Sequence, residues 1–415
     1  MSEPKKKILM IVLDGMGDRA CPDLRGLTPL QYVRTPNLDW FVGHGRSGIC
    51  DPISPGIRAG SDTAHLAILG YDAREVYSGR GPFEAIGAGL DIQPGDVALR
   101  CNFATVNSDM EILDRRAGRI KDPETTMLAD SLDGIEIDGI ECFVKASTEH
   151  RAVLLLRGDG LSPDITDCDP GEDSFLLRCM PKDPDDDDAA FTAQVVNAFM
   201  DECHERLKGH VINRKRSAAG LPPANILVPR GAGEYPTIDL FTEKYGISAT
   251  CVAGVALVKG ICKVCGLDVY PLPGGCDGSL DSDLILKIGS VLDALNEYDF
   301  VLMNIKAGDI AGHDGDARSK AEVVKRVDEA IGILKSEMPD NLVVVITCDH
   351  CTPCSLLDHS GDPVPIAFYT KGMVWDEASE FSETGCAKGT FGRIRAMDIM
   401  PIVMDLANRT EKFGS

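Results

Sequence analysis

The sequence predicts an α/β fold in which a largely parallel β-sheet is flanked by helices. Residues 8–13, 300–305 and 342–347 are continuously apolar and rich in β-branched side chains, as in strands buried on both faces of a parallel sheet. Residues 365–369 form a fourth, weaker segment of this kind. Between the second and third segments, apolar residues recur at helical spacing over residues 319–335. A strand, a helix and a strand in this order form the unit from which parallel sheets are built.

The middle of the chain carries secondary structure of its own. Residues 152–156 and 226–228 have the character of short apolar strands, and residues 189–207 have an apolar stripe at helical spacing. A chain of 415 residues also exceeds what one hydrophobic core usually supports. We therefore expect a discontinuous core domain of residues 1–95 and 275–415, with an α+β domain of residues 96–274 inserted into it.

Charge and composition exclude several classes of partner. The chain has 42 basic and 65 acidic residues, and its net charge of −23 repels nucleic acid and anionic membrane surfaces. No apolar run approaches the ~20 residues that cross a bilayer, and the apolar segment near the N-terminus is too short for a signal peptide. Fifteen cysteines without such a signal indicate reduced thiols. The sequence therefore predicts a cytoplasmic protein that binds neither nucleic acid nor membranes.

Polar residues that could bind metal ions follow each of the predicted strands. Ligands of open α/β sheets bind beyond the carboxyl ends of the strands, so residues at these positions are candidates for a shared site. The candidates in chain order are Asp14, Lys306, Asp309, His313, Asp349, His350 and His359. Three carboxylates and three imidazoles from separate stretches are thus expected at one edge of the sheet.

This mixed set of carboxylates and imidazoles indicates transition-metal ions. Oxygen and nitrogen ligands together suit Mn²⁺, Zn²⁺, Co²⁺ or Fe²⁺, whereas Mg²⁺ usually keeps oxygen ligands and water. Six ligands exceed the number, about three or four, that one catalytic ion takes from protein. Two ions about 3.5 to 4 Å apart would clamp both oxygens of a phosphoryl displacement. We therefore expect a two-metal site for phosphoryl transfer.

Ser61 is the candidate nucleophile. It opens an apolar helical pattern within residues 60–70. A serine in this position is usually a helix N-cap, but the N–H groups and the dipole at a helix N-terminus also stabilise negative charge. A metal ion beside the hydroxyl would activate it as a nucleophile. Both interpretations stay open on local sequence alone.

Seven segments form a set that spans nearly the whole chain. They are residues 13–18 (Leu-Asp-Gly-Met-Gly-Asp), 35–38, 60–65 (Gly-Ser-Asp-Thr-Ala-His), 77–89, 114–119 (Asp-Arg-Arg-Ala-Gly-Arg), 309–313 (Asp-Ile-Ala-Gly-His) and 348–350 (Cys-Asp-His). Any one of them would carry little weight, but the set in this order is specific. In these seven segments the chain resembles the archaeal-type, cofactor-independent phosphoglycerate mutases, a branch of the alkaline phosphatase superfamily.

The resemblance implies an alkaline-phosphatase-like core and an isomerase that interconverts 3-phosphoglycerate and 2-phosphoglycerate in glycolysis and gluconeogenesis. It implies one ion held by Asp309, His313 and His359, and a second ion held by Asp14, Ser61, Asp349 and His350. The phosphoryl group would pass to Ser61 as phosphoserine and return to the other hydroxyl of glycerate, while Lys306 offsets its charge. No bisphosphoglycerate is then needed. Mn²⁺ is the expected metal, with Zn²⁺, Co²⁺ and Mg²⁺ as alternatives.

Phosphoserine must not meet water before glycerate returns, so a covering domain with basic groups is expected. Arginine can bind carboxylate and phosphate through paired hydrogen bonds, and lysine acts as a point charge. The expected substrate-binding residues are Arg115, Arg116, Arg119, His150, Arg230 and Lys259. Without the resemblance, the clustered arginines of residues 114–119 would more often be a solvated face. A functional histidine and an ordinary loop histidine are equally compatible with the sequence at His150.

Two other interpretations stay open. A phosphomonoesterase or phosphodiesterase of the same superfamily would share the metal site and differ in admitting water to the phosphoenzyme. A non-catalytic metal- or phosphate-binding protein with this fold would show no turnover. The spacing Cys348-x-x-Cys351-x-x-Cys354 also occurs in thiolate metal and iron–sulfur sites, although no fourth cysteine follows in register. The sequence is also compatible with a homo-oligomer.

Overall fold

The structure, a computed structural model, describes residues 4–171 and 175–414. The chain forms two compact units, of which the first is Met1–Val76 with Ile238–Ser415 and the second is Tyr77–Thr237. The first unit is therefore built from both ends of the chain, and the second is the segment between them. Among the described helices, none combines the length and the apolar character that a membrane span requires.

The strands are numbered in chain order. They are β1 (Lys7–Leu13), β2 (Arg46–Asp51), β3 (Val97–Val106), β4 (Ile112–Asp114), β5 (Ile135–Ile137), β6 (Ile140–Ala146), β7 (Arg151–Arg157), β8 (Ile226–Glu234), β9 (Ala249–Val252), β10 (Asp268–Val269), β11 (Phe300–Ile305), β12 (Leu342–Thr347), β13 (Val364–Thr370) and β14 (Gly392–Arg395).

The helices are numbered in the same way. They are α1 (Pro29–Tyr32), α2 (Pro36–Gly43), α3 (Ser61–Ile68), α4 (Ala73–Val76), α5 (Gly81–Ala88), α6 (Glu124–Asp130), α7 (Asp187–Lys208), α8 (Val211–Ala218), α9 (Phe241–Tyr245), α10 (Ala256–Val264), α11 (Leu284–Glu297), α12 (Ala307–His313), α13 (Ala317–Glu337), α14 (Glu383–Cys386) and α15 (Ile399–Leu406). Short 3₁₀ helices cover Pro22–Leu24 and Ala396–Asp398.

The first unit contains an eight-stranded sheet with the strand order β10-β9-β11-β1-β12-β13-β2-β14. β1 lies between β11 and β12 and pairs in parallel with both. These three strands are buried along almost their whole length, which explains their continuously apolar sequences. The predicted α/β core with a largely parallel sheet is confirmed.

β13 departs from the parallel arrangement, since it runs antiparallel to both β12 and β2. It contains residues 365–369, the weaker of the predicted strand segments. No helix lies among the described residues 348–363 that connect β12 to β13. A chain that returns to its own sheet without a crossover helix pairs antiparallel.

The second unit contains an antiparallel sheet with the order β4-β3-β7-β6-β5, and β8 also pairs with β3. Alternate residues of β3 face opposite sides of this sheet. On one side, Phe103 lies in a core cluster with Phe199 of α7. On the other side, Ala98 lies in a smaller cluster with Ala85 of α5 and Val153 of β7. The second unit thus has the inserted α+β character that the sequence predicts.

The units divide at Tyr77 and Ile238, whereas the boundaries expected from the sequence lie at residues 96 and 274. Two features account for the difference. α5 packs against β3 and β7, so it belongs to the inserted unit although it precedes the first long strand of that unit. β9 pairs with β11, and β10 pairs with β9, so the chain has already returned to the first unit before residue 274.

Candidate active site

The first unit brings its candidate residues together at the carboxyl edge of its sheet. Asp14 follows β1, Lys306 follows β11, and Asp349 lies just beyond β12. Because neighbouring parallel strands end at the same edge, these side chains lie close together. The remaining members come from α3, α12 and the chain between β12 and β13, and they are Ser61, Asp309, His313, His350 and His359.

Ser61 lies at the N-terminus of α3, and its hydroxyl faces this group. Gly60 takes the N-cap position, and its backbone N–H donates to Oγ1 of Thr63 at 3.2 Å. The Ser61 hydroxyl is therefore not used as a cap. Its Oγ accepts a hydrogen bond from Nζ of Lys306 at 3.1 Å and lies 3.0 Å from Nε2 of His350. The geometry thus favours a chemical role for Ser61 over a capping role.

Lys306 is the cation of the group. Its Nζ donates to Oδ1 of Asp14 at 2.8 Å and lies 2.7 Å from Oδ2 of Asp309. Burial alone lowers the pKa of a lysine, but the charges of Asp14, Asp309 and Asp349 raise the pKa of Lys306 above its ordinary value. The ammonium is therefore a fixed positive charge beside the Ser61 hydroxyl.

Asp309, His313 and His359 form one group of candidate metal ligands. Nδ1 of His313 lies 2.8 Å from the backbone oxygen of Leu357, and Nδ1 of His359 lies 2.8 Å from that of Ala59. A carbonyl oxygen only accepts, so in the neutral rings Nδ1 carries the proton and Nε2 has a lone pair. The two Nε2 atoms lie 3.4 Å and 3.3 Å from Oδ1 of Asp309. The two Nε2 atoms thus converge on one carboxylate oxygen, a geometry that a shared proton or a bound cation satisfies.

Asp14 takes part in two further groups of potential metal ligands, one with His65 and Asp349 and one with Asp309 and His350. Oδ1 of Asp349 accepts from the backbone N–H of Gly15 at 2.9 Å, whereas Oδ2 is buried without a hydrogen-bond partner. Nε2 of His350 is 3.3 Å from this oxygen and 3.7 Å from Oδ1 of Asp14. Burial and then the charge of Asp14 raise the pKa of Asp349 well above its usual range. A buried oxygen without a partner, beside a like charge, fits a bound cation.

Thr352 fixes the orientation of His350. Its Oγ1 donates to Oδ1 of Asp309 at 2.8 Å and lies 3.1 Å from Nδ1 of His350. Since the hydroxyl proton is used on Asp309, Nδ1 of His350 donates to Thr352 and Nε2 keeps its lone pair. That lone pair is directed at Ser61 and the carboxylates, as in a metal-ligating histidine whose other nitrogen is held by a hydrogen bond.

Asn304 and His65 support Asp14 and Ser61. Nδ2 of Asn304 donates to Oδ2 of Asp14 at 2.9 Å and lies 3.2 Å from Nε2 of His65. Nδ1 of His65 lies 2.7 Å from the backbone oxygen of Ser61. Burial, as the largest cause, lowers the pKa of His65, so the ring is neutral and both of its nitrogens are engaged. His65 therefore supports the site through these contacts, and it also lies with Asp14 and Asp349 in a group of potential metal ligands.

The second unit carries a cluster of polar side chains on the side of its sheet that faces α5, which we call the arginine face (Arg100, Asn102, Arg151 and Arg230). Arg100 of β3 stands directly opposite Arg230 of β8, and Arg151 of β7 stands opposite Asn102 of β3. Like charges directly opposite one another destabilise a sheet. Nε of each of the three arginines is buried without a hydrogen-bond partner. This arrangement fits a bound anion.

Carboxylates neutralise part of the arginine face. Oε1 of Glu84 lies 3.8 Å from Nε of Arg100. Burial raises the pKa of a glutamate, but the nearby arginines hold the pKa of Glu84 below its usual value. Oδ2 of Asp169 lies 3.1 Å from Nη1 of Arg230. The Nε atoms of Arg151 and Arg230 keep no hydrogen-bond partner among the described residues.

The predicted substrate-binding arginines are placed unequally. Arg230 belongs to the arginine face. Arg115 donates through Nη2 to both oxygens of Asp169, each at 2.8 Å, and Asp169 joins it to Arg230. Arg116 and Arg119 are exposed. Lys259 lies on α10, so the predicted set draws on residues from both units.

His150 is a buried, neutral histidine of the second unit. Its backbone oxygen accepts from the N–H of Phe103 at 2.7 Å, and its Nδ1 has no hydrogen-bond partner. Burial, followed by the charges of Arg151 and Arg116, lowers the pKa of His150 to about 3. The ring can therefore serve as a hydrogen-bonding group near neutral pH, but not as a cation.

We expect His150 to make the second unit sensitive to acid. The unfolded chain binds a proton at this residue below about pH 6.5, whereas the folded chain binds it only near pH 3. Because the unfolded state holds more protons between these values, the free energy of unfolding falls as the pH drops, by about 1.4 kcal/mol per unit. His150→Gln should reduce this loss, measured by hydrogen exchange of the β6 and β7 amides from about pH 7 to about pH 5.

The control for this prediction is His204→Gln, at a partly buried histidine of the same unit. Its Nδ1 lies 3.0 Å from the backbone oxygen of Asn225, so the substitution controls for the loss of a histidine ring elsewhere in the unit. Equal effects of the two substitutions would contradict the role given to His150.

Sequence patterns alone do not single out Arg100, Arg151, Asn304 or Thr352. A signal exists for two of them, because Arg100 is a charged residue in the largely apolar β3 and Asn304 interrupts the apolar β11. A polar residue in a buried strand must find a partner there. Which partner it finds depends on strand register and on loops far away in the chain.

The chain is similar to known proteins over its whole length. The family model described as 2,3-bisphosphoglycerate-independent phosphoglycerate mutase matches residues 43–213. A protein of that name from Methanopyrus kandleri is 47% identical over 418 residues, which cover 99% of this chain and 99% of that protein. A 2,3-bisphosphoglycerate-independent phosphoglycerate mutase from Methanocaldococcus jannaschii is 44% identical over 412 residues, 99% of this chain and 100% of that protein.

Two solved structures are similar in both sequence and fold. A protein from Pyrococcus horikoshii has 39% sequence identity and a TM-score of 0.86, with 99% of this chain and 100% of that chain covered. The cofactor-independent phosphoglycerate mutase from Thermoplasma acidophilum has 41% identity and a TM-score of 0.68, with 97% of this chain and 100% of that chain covered.

Proposed function

Because the chain belongs to the family of 2,3-bisphosphoglycerate-independent phosphoglycerate mutases, we propose that it isomerises phosphoglycerate through a phosphoserine on Ser61. The overall reaction is the interconversion of 3-phosphoglycerate and 2-phosphoglycerate, a step of glycolysis and gluconeogenesis. In the first half, Oγ of Ser61 loses its proton and bonds to phosphorus, while the bond from phosphorus to the substrate oxygen breaks and that oxygen takes up a proton to become a hydroxyl of glycerate. In the second half, the other hydroxyl of glycerate loses its proton and bonds to phosphorus, and Oγ of Ser61 leaves and takes up a proton.

One observation carries this proposal, namely the surroundings of the Ser61 hydroxyl. It lies within hydrogen-bond distance of both Nζ of Lys306 and Nε2 of His350, at the N-terminus of a helix. A fixed ammonium and the helix N-terminus both favour negative charge at this point. A serine in such a position is suited to receiving a phosphoryl group.

We propose that two divalent ions bind around Ser61, with Mn²⁺ as the expected metal and Zn²⁺, Co²⁺ and Mg²⁺ as alternatives. One would be held by Asp309, His313 and His359, and the other by Asp14, Ser61, Asp349 and His350. The convergent acceptors at Asp309 and the unpartnered Oδ2 of Asp349 support this assignment. When bound, such ions lower the pKa of a coordinated hydroxyl and neutralise charge on phosphoryl oxygens.

The chain's own residues would position and stabilise the transferring group. Lys306 is held by Asp14 and Asp309, so its ammonium is oriented before the substrate arrives and costs little to reorganise. Its hydrogen bond to Oγ of Ser61 favours the deprotonated oxygen in the attack and in the return. Phosphoryl transfer needs little beyond such positioning and charge stabilisation.

We propose that the arginine face binds an anionic group of the substrate. A phosphoglycerate has a carboxylate besides the phosphoryl group, and arginine binds carboxylates through paired hydrogen bonds. The opposition of Arg100 and Arg230 across two strands and their unpartnered Nε atoms support this role. Arg115 would contribute through Asp169, which contacts both Arg115 and Arg230.

Arg230→Gln is expected to raise the KM for 3-phosphoglycerate roughly 10- to 100-fold, because it removes a charge-assisted hydrogen bond to the substrate. Arg230→Lys should recover part of the loss, since lysine keeps the charge but not the paired geometry. Steady-state kinetics with purified protein measure both values. Arg178→Gln is the control, because Arg178 is an exposed arginine of the same unit that pairs with Asp201. A KM that stays at the wild-type value in Arg230→Gln would remove this residue from substrate binding.

The reaction itself is tested by a metal-supplemented assay. Protein stripped by a chelator receives Mn²⁺ and 3-phosphoglycerate without bisphosphoglycerate, and 2-phosphoglycerate and inorganic phosphate are followed together. Formation of 2-phosphoglycerate with little free phosphate is the expected result. Phosphate release without isomerisation would support a phosphatase instead, and no turnover with any divalent ion would support a binding protein. Membership of the mutase family favours the first outcome over both.

We also propose a cytoplasmic location. All 15 cysteines are free and buried. Free thiols in such number are typical of reducing compartments, where disulfides do not persist.

A further inference from the structure

Lys320, in the first turn of α13, is a buried lysine outside the candidate active site. Its side chain is 0% exposed. Its Nζ donates to three oxygens, namely Oδ2 of Asp18 at 2.8 Å, the backbone oxygen of Thr352 at 2.8 Å and that of Gly17 at 3.1 Å. The ammonium has three N–H donors, and each is used. Taking an ammonium out of water is costly, so this arrangement calls for an explanation.

Asp18 is the second aspartate of the segment at residues 13–18, and the proposed reaction does not use it. Its Oδ1 accepts from the backbone N–H of Arg19 at 2.7 Å and from that of Cys354 at 3.2 Å. Asp18, Cys21 and Cys354 lie as close together as the ligands of a metal ion, but the ammonium of Lys320 already contacts this carboxylate. The cation of the group is therefore a side chain of the protein.

The structure also shows whether the cysteines of residues 348–354, which have the spacing of a metal site, lie together as potential ligands. Among the described residues, Cys354 is the member of that series that belongs to a group of potential metal ligands. Burial, as the largest cause, raises the pKa of the Cys354 thiol to about 12. In the part of the chain that the structure describes, Cys348 and Cys351 therefore do not join Cys354 in one group of potential metal ligands.

The oxygens bound by Lys320 come from two loops that also carry candidate metal ligands. Gly17 and Asp18 belong to the loop that begins with Asp14 after β1. Thr352 belongs to the loop after β12, three residues beyond Asp349. The two loops are joined directly as well, because the N–H of Thr352 donates to the backbone oxygen of Gly17 at 3.1 Å. Lys320 thus binds both loops from one fixed point on α13.

Thr352 connects this point to the metal-ligand candidates. Its backbone is held by Lys320 and Gly17, while its Oγ1 contacts Asp309 at 2.8 Å and lies 3.1 Å from Nδ1 of His350. A shift of the Thr352 backbone would therefore reorient one candidate ligand from each of the two proposed ion sites.

We propose that Lys320 is a positioning residue. By holding the two loops together, it fixes the positions of the metal ligands that these loops carry or contact, an inference that rests on the proposed two-ion function. A buried ion pair adds little stability compared with apolar groups of the same size. Hydrogen bonds behind metal ligands, in contrast, strongly affect metal affinity. The contribution of Lys320 and Asp18 is therefore to the geometry of the ligands more than to the stability of the fold.

The experiment is a calorimetric titration of Mn²⁺ alone into chelator-stripped protein. Lys320→Met is expected to weaken Mn²⁺ binding about ten-fold or more and to lower kcat without a matching change in KM for 3-phosphoglycerate. Lys325→Met is the matched control, because Lys325 lies on the same helix with its side chain exposed. It should bind Mn²⁺ as the wild type does.

A second variant separates positioning from stability. Lys320→Met leaves Asp18 buried and unpaired, whereas the double variant Asp18→Asn/Lys320→Met removes both charges at nearly unchanged volume. The double variant should regain the melting temperature but not the Mn²⁺ affinity. If it folds and binds Mn²⁺ as tightly as the wild type, or if neither variant folds, the positioning role is wrong. Loss of Mn²⁺ affinity in a protein whose wild type lacks mutase activity would refute the proposed reaction and uphold this inference.

Discussion

Ser61→Ala is expected to lower the kcat for interconversion of 3-phosphoglycerate and 2-phosphoglycerate roughly 10⁴-fold or more, because the alanine has no oxygen to receive the phosphoryl group. The fold should survive the substitution. Gly60 and Thr63 cap α3 without the Ser61 hydroxyl, and the backbone oxygen of Ser61 keeps its contact with His65. A loss of activity would therefore report on the chemistry and not on unfolding.

Two measurements check this prediction. The first is a coupled assay of 2-phosphoglycerate formation with Mn²⁺ present. The second is mass spectrometry of protein quenched during turnover, in which the peptide containing Ser61 should be phosphorylated in the wild type and unmodified in the variant. Ser336→Ala, at an exposed serine of α13, is the control and should retain full activity. Substantial turnover by Ser61→Ala would show that the phosphoryl group does not pass through this residue.

Asp309→Asn should have the second largest effect, a loss of turnover on the order of 10³-fold or more that added Mn²⁺ does not restore. Asp309 faces Lys306, His313 and His359 at 2.7 Å, 3.4 Å and 3.3 Å. Burial raises the pKa of an aspartate, but Lys306 as the next cause holds the pKa of Asp309 well below its usual value. Asparagine keeps the shape and an acceptor for Thr352, yet it removes the charge that an ion between these groups needs.

The measurement for Asp309→Asn is the stoichiometry of Mn²⁺ binding. It is determined by calorimetry on protein from which metals have been removed with a chelator. The wild type should take up two ions per chain and recover its activity, as the proposed site requires. The variant should bind one ion fewer in the same concentration range. Glu322→Gln, which removes an exposed carboxylate on α13, controls for the change in net charge. Unchanged stoichiometry in Asp309→Asn would mean that the ligand groups are assigned wrongly.

The sequence predicted the first unit's sheet well because its signal is local. A strand that is buried on both faces must be continuously apolar, and β1, β11 and β12 are. Parallel neighbours end at one edge, so the residues that follow these strands meet without further information. β13 is harder, because its antiparallel direction depends on the connection from β12 and not on its own residues.

The boundaries of the second unit were harder still. α5 belongs to that unit because it packs against β3 and β7, and β9 belongs to the first unit because it pairs with β11. The local sequence does not indicate either contact, since a short apolar helix or strand has the same sequence pattern whichever sheet it joins. Assignment to a unit is a property of partners that are distant in the chain.

By itself, the sequence determined the class of the fold, the family and the set of residues that follow the central strands. Periodicity and the order of motifs are one-dimensional, so they can be read without knowing any contact. Tertiary structure decided what each polar group is paired with. It places Arg100 opposite Arg230, and it pairs Asp18 with Lys320 and not with a metal ion. It also puts Gly60 at the N-cap of α3, so the Ser61 hydroxyl is not used in capping. A buried polar side chain acts according to its partner, and strand register and loop packing choose that partner.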